Sequence, residues 1–179
     1  MPHRENICLP ARGPEKEESY PMEPENSVTI KTFEQSDLLK VLEFESELRK
    51  QEPDTYYWEP DDSYAKMLEA SFADQRFNTA LSLLALKNGR VIGRVDASII
   101  ASRCDASCCS AYLDWICVLK SERHGGVAQM LLRSLRNECK ALGVEFLIAL
   151  TAGNEEAQKF YKNVENASMH DTGIWISTE

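Results

Sequence analysis

The sequence predicts an α+β fold: a single domain in which helices flank a central mixed, mostly antiparallel β-sheet. Two strand-like runs, 80–87 and 90–101, flank Asn88-Gly89, a pair that favours a tight hairpin because both residues tolerate positive φ. Further along the chain, apolar residues recur at helical spacing. Antiparallel pairs mixed with helical crossovers are typical of this class, and the length of 179 residues suits one domain.

The first quarter of the chain divides into a tail and the start of the domain. Residues 1–26 hold five of the seven prolines and many charges, so we expect a flexible Pro/Glu-rich tail followed by a domain at 27–179. A first strand is predicted at 28–33, and Ser36 or Asp37 is expected to cap the first helix.

The remaining elements follow from apolar spacing and from glycine positions. A second helix, at about 62–75, is expected to bury four side chains: Tyr64, Met67, Leu68 and Phe72. Later elements are predicted at 111–118 (strand), from Val127 to a C-cap at Gly143 (helix), 144–150 (strand), 155–161 (helix) and 172–177 (strand).

Composition limits the partners of this chain. A formal net charge of −9 argues against nucleic acid as an electrostatic partner. No apolar run approaches the length of a membrane span and the first residues lack an apolar signal region, so we expect a cytoplasmic protein with no membrane partner.

The six cysteines favour reduced thiols over a metal site or a disulfide framework. They lie at irregular spacings: Cys8, Cys104, Cys108, Cys109, Cys117 and Cys139. The cluster around Cys108, even with His124 nearby in sequence, lacks the paired Cys-x-x-Cys units of common zinc sites. No metal is therefore predicted.

The segment 118–128 has the pattern of a phosphate-binding turn, because a strand-like run leads through two glycines into an amphipathic helix. Backbone N–H groups at a helix N-terminus can share the charge of a pyrophosphate with the helix dipole. The turn lacks the Gly-Lys-Ser/Thr of a P-loop and the Gly-x-Gly-x-x-Gly of a dinucleotide fold. An ordinary strand-to-helix turn is the alternative explanation.

Arg123-x-x-Gly126-x-Ala128 resembles the Arg/Gln-x-x-Gly-x-Gly/Ala signature of the GCN5-related N-acetyltransferases. A second similarity follows, where Asn154 precedes a short helix that ends in Phe160-Tyr161. The resemblance implies acetyl-CoA as cosubstrate, direct transfer of its acetyl group to an amine, and splayed central strands that admit pantetheine. The cofactor-binding residues that it implies are Ile116, Cys117, Val118, Arg123, His124, Gly125, Gly126, Val127, Ala128, Asn154 and Tyr161.

Two catalytic residues are expected. By resemblance, Tyr161 is the general acid for the departing CoA thiolate, a role that suits a phenol with a pKa of about 10. Asp114 is the candidate base or amine anchor, because strand alternation places it on the same face as Ile116 and Val118. Pairing of Asp114 with an arginine is the structural alternative, just as helix capping and core packing are alternatives for Asn154 and Tyr161.

The segment 52–62 suggests the acceptor, since it contains five carboxylates, three aromatic residues and no basic residue. Aromatic faces and carboxylates together favour a cation, so we expect a small-molecule or peptide amine: a polyamine, an aminosugar or a lysine side chain. A solvated acidic loop with Tyr57 or Trp58 packed on the core is the alternative for this segment.

The chain departs from the family pattern after Tyr161, where 162–169 lacks the usual Gly-aromatic pair. This departure leaves a non-catalytic acyl-CoA-binding sensor or interaction domain as the alternative function. A homodimer is common in the family and is possible here.

Overall fold

A computed structural model describes residues 27–101, 103, 109–150, 153, 155–169, 173–174 and 176–177. The tail at 1–26, Cys104, Cys108 and Asn154 lie outside the described residues. The strands are β1 Val28–Thr32, β2 Ala80–Lys87, β3 Arg90–Ala101, β4 Cys109–Val118 and β5 Val144–Ala149. The helices are α1 Leu38–Gln51, α2 Asp62–Ser71, α3 Val127–Ala141 and α4 Glu155–Lys162.

The five strands form one mixed sheet in the order β1-β2-β3-β4-β5. Neighbours from β1 to β4 are antiparallel, while β5 runs parallel to β4 after the crossover through α3. Asn88 and Gly89 adopt φ values of 51° and 76° in the β2–β3 turn, which confirms the predicted hairpin. The α+β fold class is confirmed.

The helices cover both faces of the sheet. Leu131 of α3 packs against Gly93 of β3, whereas Glu45 of α1 binds Arg94, the next residue of the same strand. Because successive residues of a strand point to opposite faces, α1 and α3 lie on opposite sides. No helix among the described residues has the length and apolarity needed to cross a bilayer.

Three predictions about the elements are corrected. The second helix ends at Ser71, because a separate 3-10 turn capped by the Asp74 side chain follows it. Met67 of that helix, expected in the core, is 62% exposed. The last strand at 172–177 does not form at the residues of it that the structure describes, and Ile174 and Ile176 are exposed there, so burial does not stabilise a strand.

Replacing Gly93 by alanine is expected to destabilise the fold by about 1–3 kcal/mol, because the new Cβ would lie 3.1 Å from Cys117 O and 3.1 Å from Leu131 Cδ1. The Cys117 oxygen belongs to the backbone of a neighbouring strand and has little freedom to move. Chemical denaturation measures the loss. Gly153→Ala is the control, since a Cβ there meets nothing within 4 Å. An equal loss in both variants would contradict the packing explanation.

Candidate functional site

The central strands separate into a fork. Pairing between β4 and β5 ends at Leu113 and Ala149, whereas β4 stays paired with β3 as far as Val118. Leu119 N donates to Ile92 O at 3.0 Å, on the β3 side. The splayed strands that the family resemblance implies are therefore present, and the β5 side of β4 is open beyond Leu113.

Strand alternation decides which backbone groups face the fork. Because Leu119 bonds toward β3, the N–H and C=O groups of Val118 and Ile116 point to the open side, and those of Cys117 point to β3. The Cys117 side chain is buried, and burial raises the pKa of its thiol well above the usual value. Of these three predicted cofactor residues, Ile116 and Val118 offer backbone groups to a ligand in the fork, while Cys117 belongs to the core.

The turn before α3 has the backbone of an anion site. His124 and Gly126 adopt φ values of 65° and 79°, and Gly126 is the N-cap of α3. Met130 N donates to Gly126 O at 3.0 Å as the first helical bond, so the N–H groups of Val127 and Ala128 have no partner within the helix. A Cβ built on Gly126 meets no atom within 4 Å, which leaves room beside these donors. The turn fits a pyrophosphate.

The Arg123 side chain turns toward carboxylates of its own chain. Its guanidinium contacts Glu52, which follows α1, and Glu156 in the first turn of α4. Its Nε donates to Val118 O at 3.2 Å. Arg123 thus lies in the predicted turn. The partners of its side chain, however, are not indicated by any local sequence pattern.

Tyr161 lies on α4, half-buried and packed against the core. Burial raises the pKa of its phenol, and the nearby Tyr112 on β4 raises it further. Tyr112 pairs with Ile148 of β5, one residue before the fork opens. The charge interaction with Tyr112 therefore points to a position of Tyr161 toward the base of the fork.

Asp114 is the extra residue of a β-bulge. Across β3 and β4, Asp96 pairs with Trp115, and Ala97 pairs with Leu113, so Asp114 has no partner residue. It is the first residue of β4 beyond the pairing with β5. The bulge places Asp114 at the base of the fork.

The bulge also corrects the predicted face of Asp114. Paired residues share a face, and the Asp114 carboxylate accepts a 2.7 Å hydrogen bond from Ser98 Oγ. Ser98 pairs with Tyr112, whereas Ile116 pairs with Val95 on the opposite face. Asp114 thus lies on the Tyr112 side of the sheet and not with Ile116, because the extra residue breaks the alternation. The hydrogen-bond partner that the described residues supply is this hydroxyl, and the arginine pairing of the structural alternative is not seen among them.

Residues 52–61 connect α1 to α2 and form what we call the aromatic loop. Trp58 makes edge-to-face contacts with Tyr56 at 5.3 Å and with Trp115 of β4 at 5.6 Å between ring centroids. Burial, the largest cause, raises the pKa of Tyr56 to about 12. Tyr57 is 85% exposed. The loop therefore brings its aromatic side chains to the same strand that carries Asp114.

Several acidic side chains of this segment have structural partners. Glu59 Oε1 lies 2.6 Å from Arg49 Nη1, and Asp61 Oδ1 accepts from Tyr64 N at 2.8 Å as the cap of α2. These contacts support the solvated-loop interpretation for the two carboxylates. The packing of Tyr56 and Trp58 against the core supports the same interpretation for these two rings, while Tyr57 is exposed.

A buried charge network lies beneath the aromatic loop. Arg94 donates from Nη1 to Glu45 Oε1 at 2.7 Å and from Nη2 to Asp96 Oδ1 at 3.1 Å. Trp58 Nε1 donates to the other oxygen of Glu45 at 3.1 Å. The Arg94 guanidinium also lies 5.6 Å from the centroid of the Trp115 ring. The network anchors the Trp58 end of the loop.

Glu45 and Arg94 are not among the site residues predicted from the sequence. Glu45 interrupts an apolar helical stripe that includes Phe44 and Leu48, and Arg94 interrupts the apolar run of β3. A charged residue in an apolar stripe is costly to bury without a partner. The sequence therefore indicated that each of these two charges is paired with an opposite charge. The identity of the partner was not readable, because the two residues lie 49 positions apart.

Comparison with known proteins places this geometry in a family. A model of the acetyltransferase (GNAT) family matches residues 41–164, well over half of the chain. An aminoglycoside acetyltransferase from an uncultured soil metagenomic sample, in complex with sisomicin, is similar with a TM-score of 0.70 and 14% identity over 85% of this chain and 97% of that chain.

A ribosomal-protein-alanine N-acetyltransferase from Brucella melitensis biovar Abortus 2308 has a TM-score of 0.64 and 19% identity, over 84% of this chain and 99% of that chain. Among curated proteins, none matches this chain significantly. At these identities the structural likeness shows the fold, and the family model adds the activity class. The chain belongs to the GNAT family and is an acetyltransferase.

Proposed function

We propose that this protein transfers the acetyl group of acetyl-CoA to a primary amine by direct attack in a ternary complex. The observation that carries the proposal is the continuity of two binding elements: the open edge of β4 leads directly into the turn and N-terminus of α3. One extended ligand with a pantetheine arm and a pyrophosphate matches that arrangement. The similarity to an aminoglycoside acetyltransferase and to a ribosomal-protein-alanine N-acetyltransferase also supports amine acetylation.

Backbone groups hold the cosubstrate in this proposal. Ile116 offers its N–H and C=O groups and Val118 its N–H group to pantetheine in the fork, and the N–H groups from Gly125 to Ala128 receive the pyrophosphate. Acetyl-CoA supplies the activated acetyl thioester when bound. A β4 N–H at the fork polarises the thioester carbonyl, which stabilises negative charge that develops on its oxygen.

Tyr161 donates the proton that the CoA thiolate requires. Burial and Tyr112 raise the pKa of Tyr161 above the ordinary phenol value of about 10, so the group keeps its proton throughout the neutral range. The position of Tyr161 near the base of the fork supports this role, because a general acid must lie within hydrogen-bond reach of the leaving atom.

Asp114 accepts the proton of the attacking ammonium, directly or through water. The bulge places its carboxylate at the base of the fork, exposed and on the face that carries Tyr112. An amine must lose a proton before it attacks, because an alkylammonium with a pKa of about 10.4 is unreactive as a nucleophile.

Asp114→Asn is expected to lower kcat by roughly a hundredfold or more and to flatten the acid side of the pH–rate profile, because a general base is lost. Acetyl-CoA affinity is expected to stay unchanged. Steady-state kinetics across pH and calorimetric titration measure the two quantities. Asp74→Asn is the matched control, since Asp74 pairs locally with Arg76 away from the fork. Unchanged turnover across pH would remove Asp114 from the mechanism.

The acceptor is proposed to be a cationic amine. Trp58 contacts Trp115, the residue that follows Asp114, and the exposed Tyr57 contacts Trp58. Cation–π contact combined with a carboxylate favours an ammonium group. A small aminosugar, a polyamine and a lysine side chain all satisfy this chemistry.

Release of CoA thiol from acetyl-CoA tests the proposal, with spermidine, sisomicin and a lysine-containing peptide as acceptors. Saturable release with at least one amine, and a mass increase of one acetyl group on that amine, are the expected results. If the protein binds acetyl-CoA but releases no CoA thiol with all three amines, the result would favour the non-catalytic acyl-CoA sensor.

A further inference from the structure

We propose that Arg123 is a positioning residue that fixes α4, and with it Tyr161, against the aromatic loop. In this role its side chain is not a ligand of the cosubstrate phosphates, although it stands in the turn that binds them. The inference rests on the proposed function, since it assigns a role within that same site.

The donors of Arg123 are already engaged. Nε donates to Val118 O at 3.2 Å, and Nη1 donates to Glu52 Oε1 at 3.1 Å and to Glu156 Oε2 at 3.0 Å. Nη2 donates to the second oxygen of Glu52. A guanidinium has five N–H donors, and these contacts engage four of them. A phosphate therefore gains a bidentate contact only if Arg123 releases a carboxylate.

The charges around Arg123 oppose such an exchange. Burial lowers the pKa of Arg123, but the hydrogen bond and charge of Glu52 and the charge of Glu156 raise it overall. The Arg123 and Glu52 side chains are 18% and 17% exposed, so solvent screens their bidentate pair only in part. Two carboxylates on one guanidinium leave a net negative group, which repels an anionic ligand.

The contacts of Arg123 join three parts of the site. Glu52 begins the aromatic loop, Val118 ends β4, and Glu156 lies in the first turn of α4, on the helix that carries Tyr161. Trp58, at the other end of the aromatic loop, is held by Glu45. Arg123 is thus the shared contact between the acceptor side and the helix of the general acid.

Removal of this contact is expected to affect turnover more than cosubstrate affinity. For Arg123→Gln and for Glu156→Gln, kcat is expected to fall by about tenfold to a hundredfold, since displacement of a catalytic group by about 1 Å has effects of this size. The Kd for acetyl-CoA is expected to stay within about threefold, because backbone donors hold the pyrophosphate. Calorimetry gives Kd, and thiol release with the most active of spermidine, sisomicin and the lysine peptide gives kcat.

A phosphate ligand would behave in the opposite way. Arg123→Gln would then raise the Kd by about tenfold or more, and Glu156→Gln would lower it by freeing a donor of Arg123. That pattern would overturn the proposal. Arg76→Gln is the control, because Arg76 forms an exposed pair with Asp74 away from the fork and should leave both kcat and Kd unchanged.

Failure of the proposed function is distinguishable from failure of this inference. If wild-type protein binds no acetyl-CoA, the proposed function is wrong, and the positioning role falls with it. If acetyl-CoA binds, a thermal double-mutant cycle of Arg123→Gln and Glu156→Gln must also be non-additive, because the two side chains are in contact. Additive losses of stability in the two variants would contradict a contact between Arg123 and Glu156.

Discussion

Gly126→Glu is expected to abolish the binding of acetyl-CoA. Gly126 adopts a φ of 79°, and the space beside it is open to a ligand. A glutamate there adds strain, bulk and negative charge at the N–H groups that are proposed to receive the pyrophosphate. Wild-type protein at a cosubstrate concentration of about 100 times its Kd should gain about 2.7 kcal/mol of stability, and the variant should gain none.

Gly89→Glu is the matched control for this experiment. Gly89 has a φ of 76°, and a Cβ there also meets nothing within 4 Å, but the residue lies in the β2–β3 hairpin. Both variants should lower the melting temperature of the free protein to a similar extent. Only Gly89→Glu should retain the increase in melting temperature that acetyl-CoA produces in wild-type protein. An equal cosubstrate shift in both variants would exclude the turn before α3 from the binding site.

Tyr161→Phe is expected to lower kcat by about a hundredfold to ten-thousandfold, because the leaving thiolate loses its proton donor. The Kd for acetyl-CoA should remain unchanged, since the ring still packs against the core. In wild-type protein, activity should fall as the pH rises through the raised pKa of Tyr161, which lies above the ordinary phenol value of about 10. Steady-state kinetics from neutral to alkaline pH give both quantities.

Tyr112→Phe tests the cause of that alkaline limb. Burial and Tyr112 together raise the pKa of Tyr161, so removal of the neighbouring phenol should move the loss of activity to lower pH. Turnover at neutral pH should change little. Full activity in Tyr161→Phe would assign the proton to another donor, such as solvent.

Local patterns predicted the elements whose causes are local. Asn88-Gly89 predicted the hairpin, because the turn depends on the positive φ that these two residues tolerate. The last strand, predicted at 172–177, does not form at the residues of it that the structure describes, since a strand needs a partner and a buried face.

The site residues that sequence could not place depend on distant contacts. A bulge of one residue reversed the face of Asp114, and nothing in the strand itself marks that position. Arg123 was predicted from its motif, but its partners Glu52 and Glu156 lie 71 and 33 positions away. Such pairings arise only from the packing of α1 and α4 around the turn.

The buried network of Glu45, Arg94 and Asp96 constrains how this sequence can diverge. Loss of Arg94 leaves the Glu45 carboxylate uncompensated in the core, which typically costs about 3–5 kcal/mol, whereas exchange of a complete set for apolar residues is often tolerated. The three positions should therefore change together among related proteins, and Trp58 should change with them because its indole N–H donates to Glu45. Sequence changes in the aromatic loop are thus expected to accompany changes in the buried charge network.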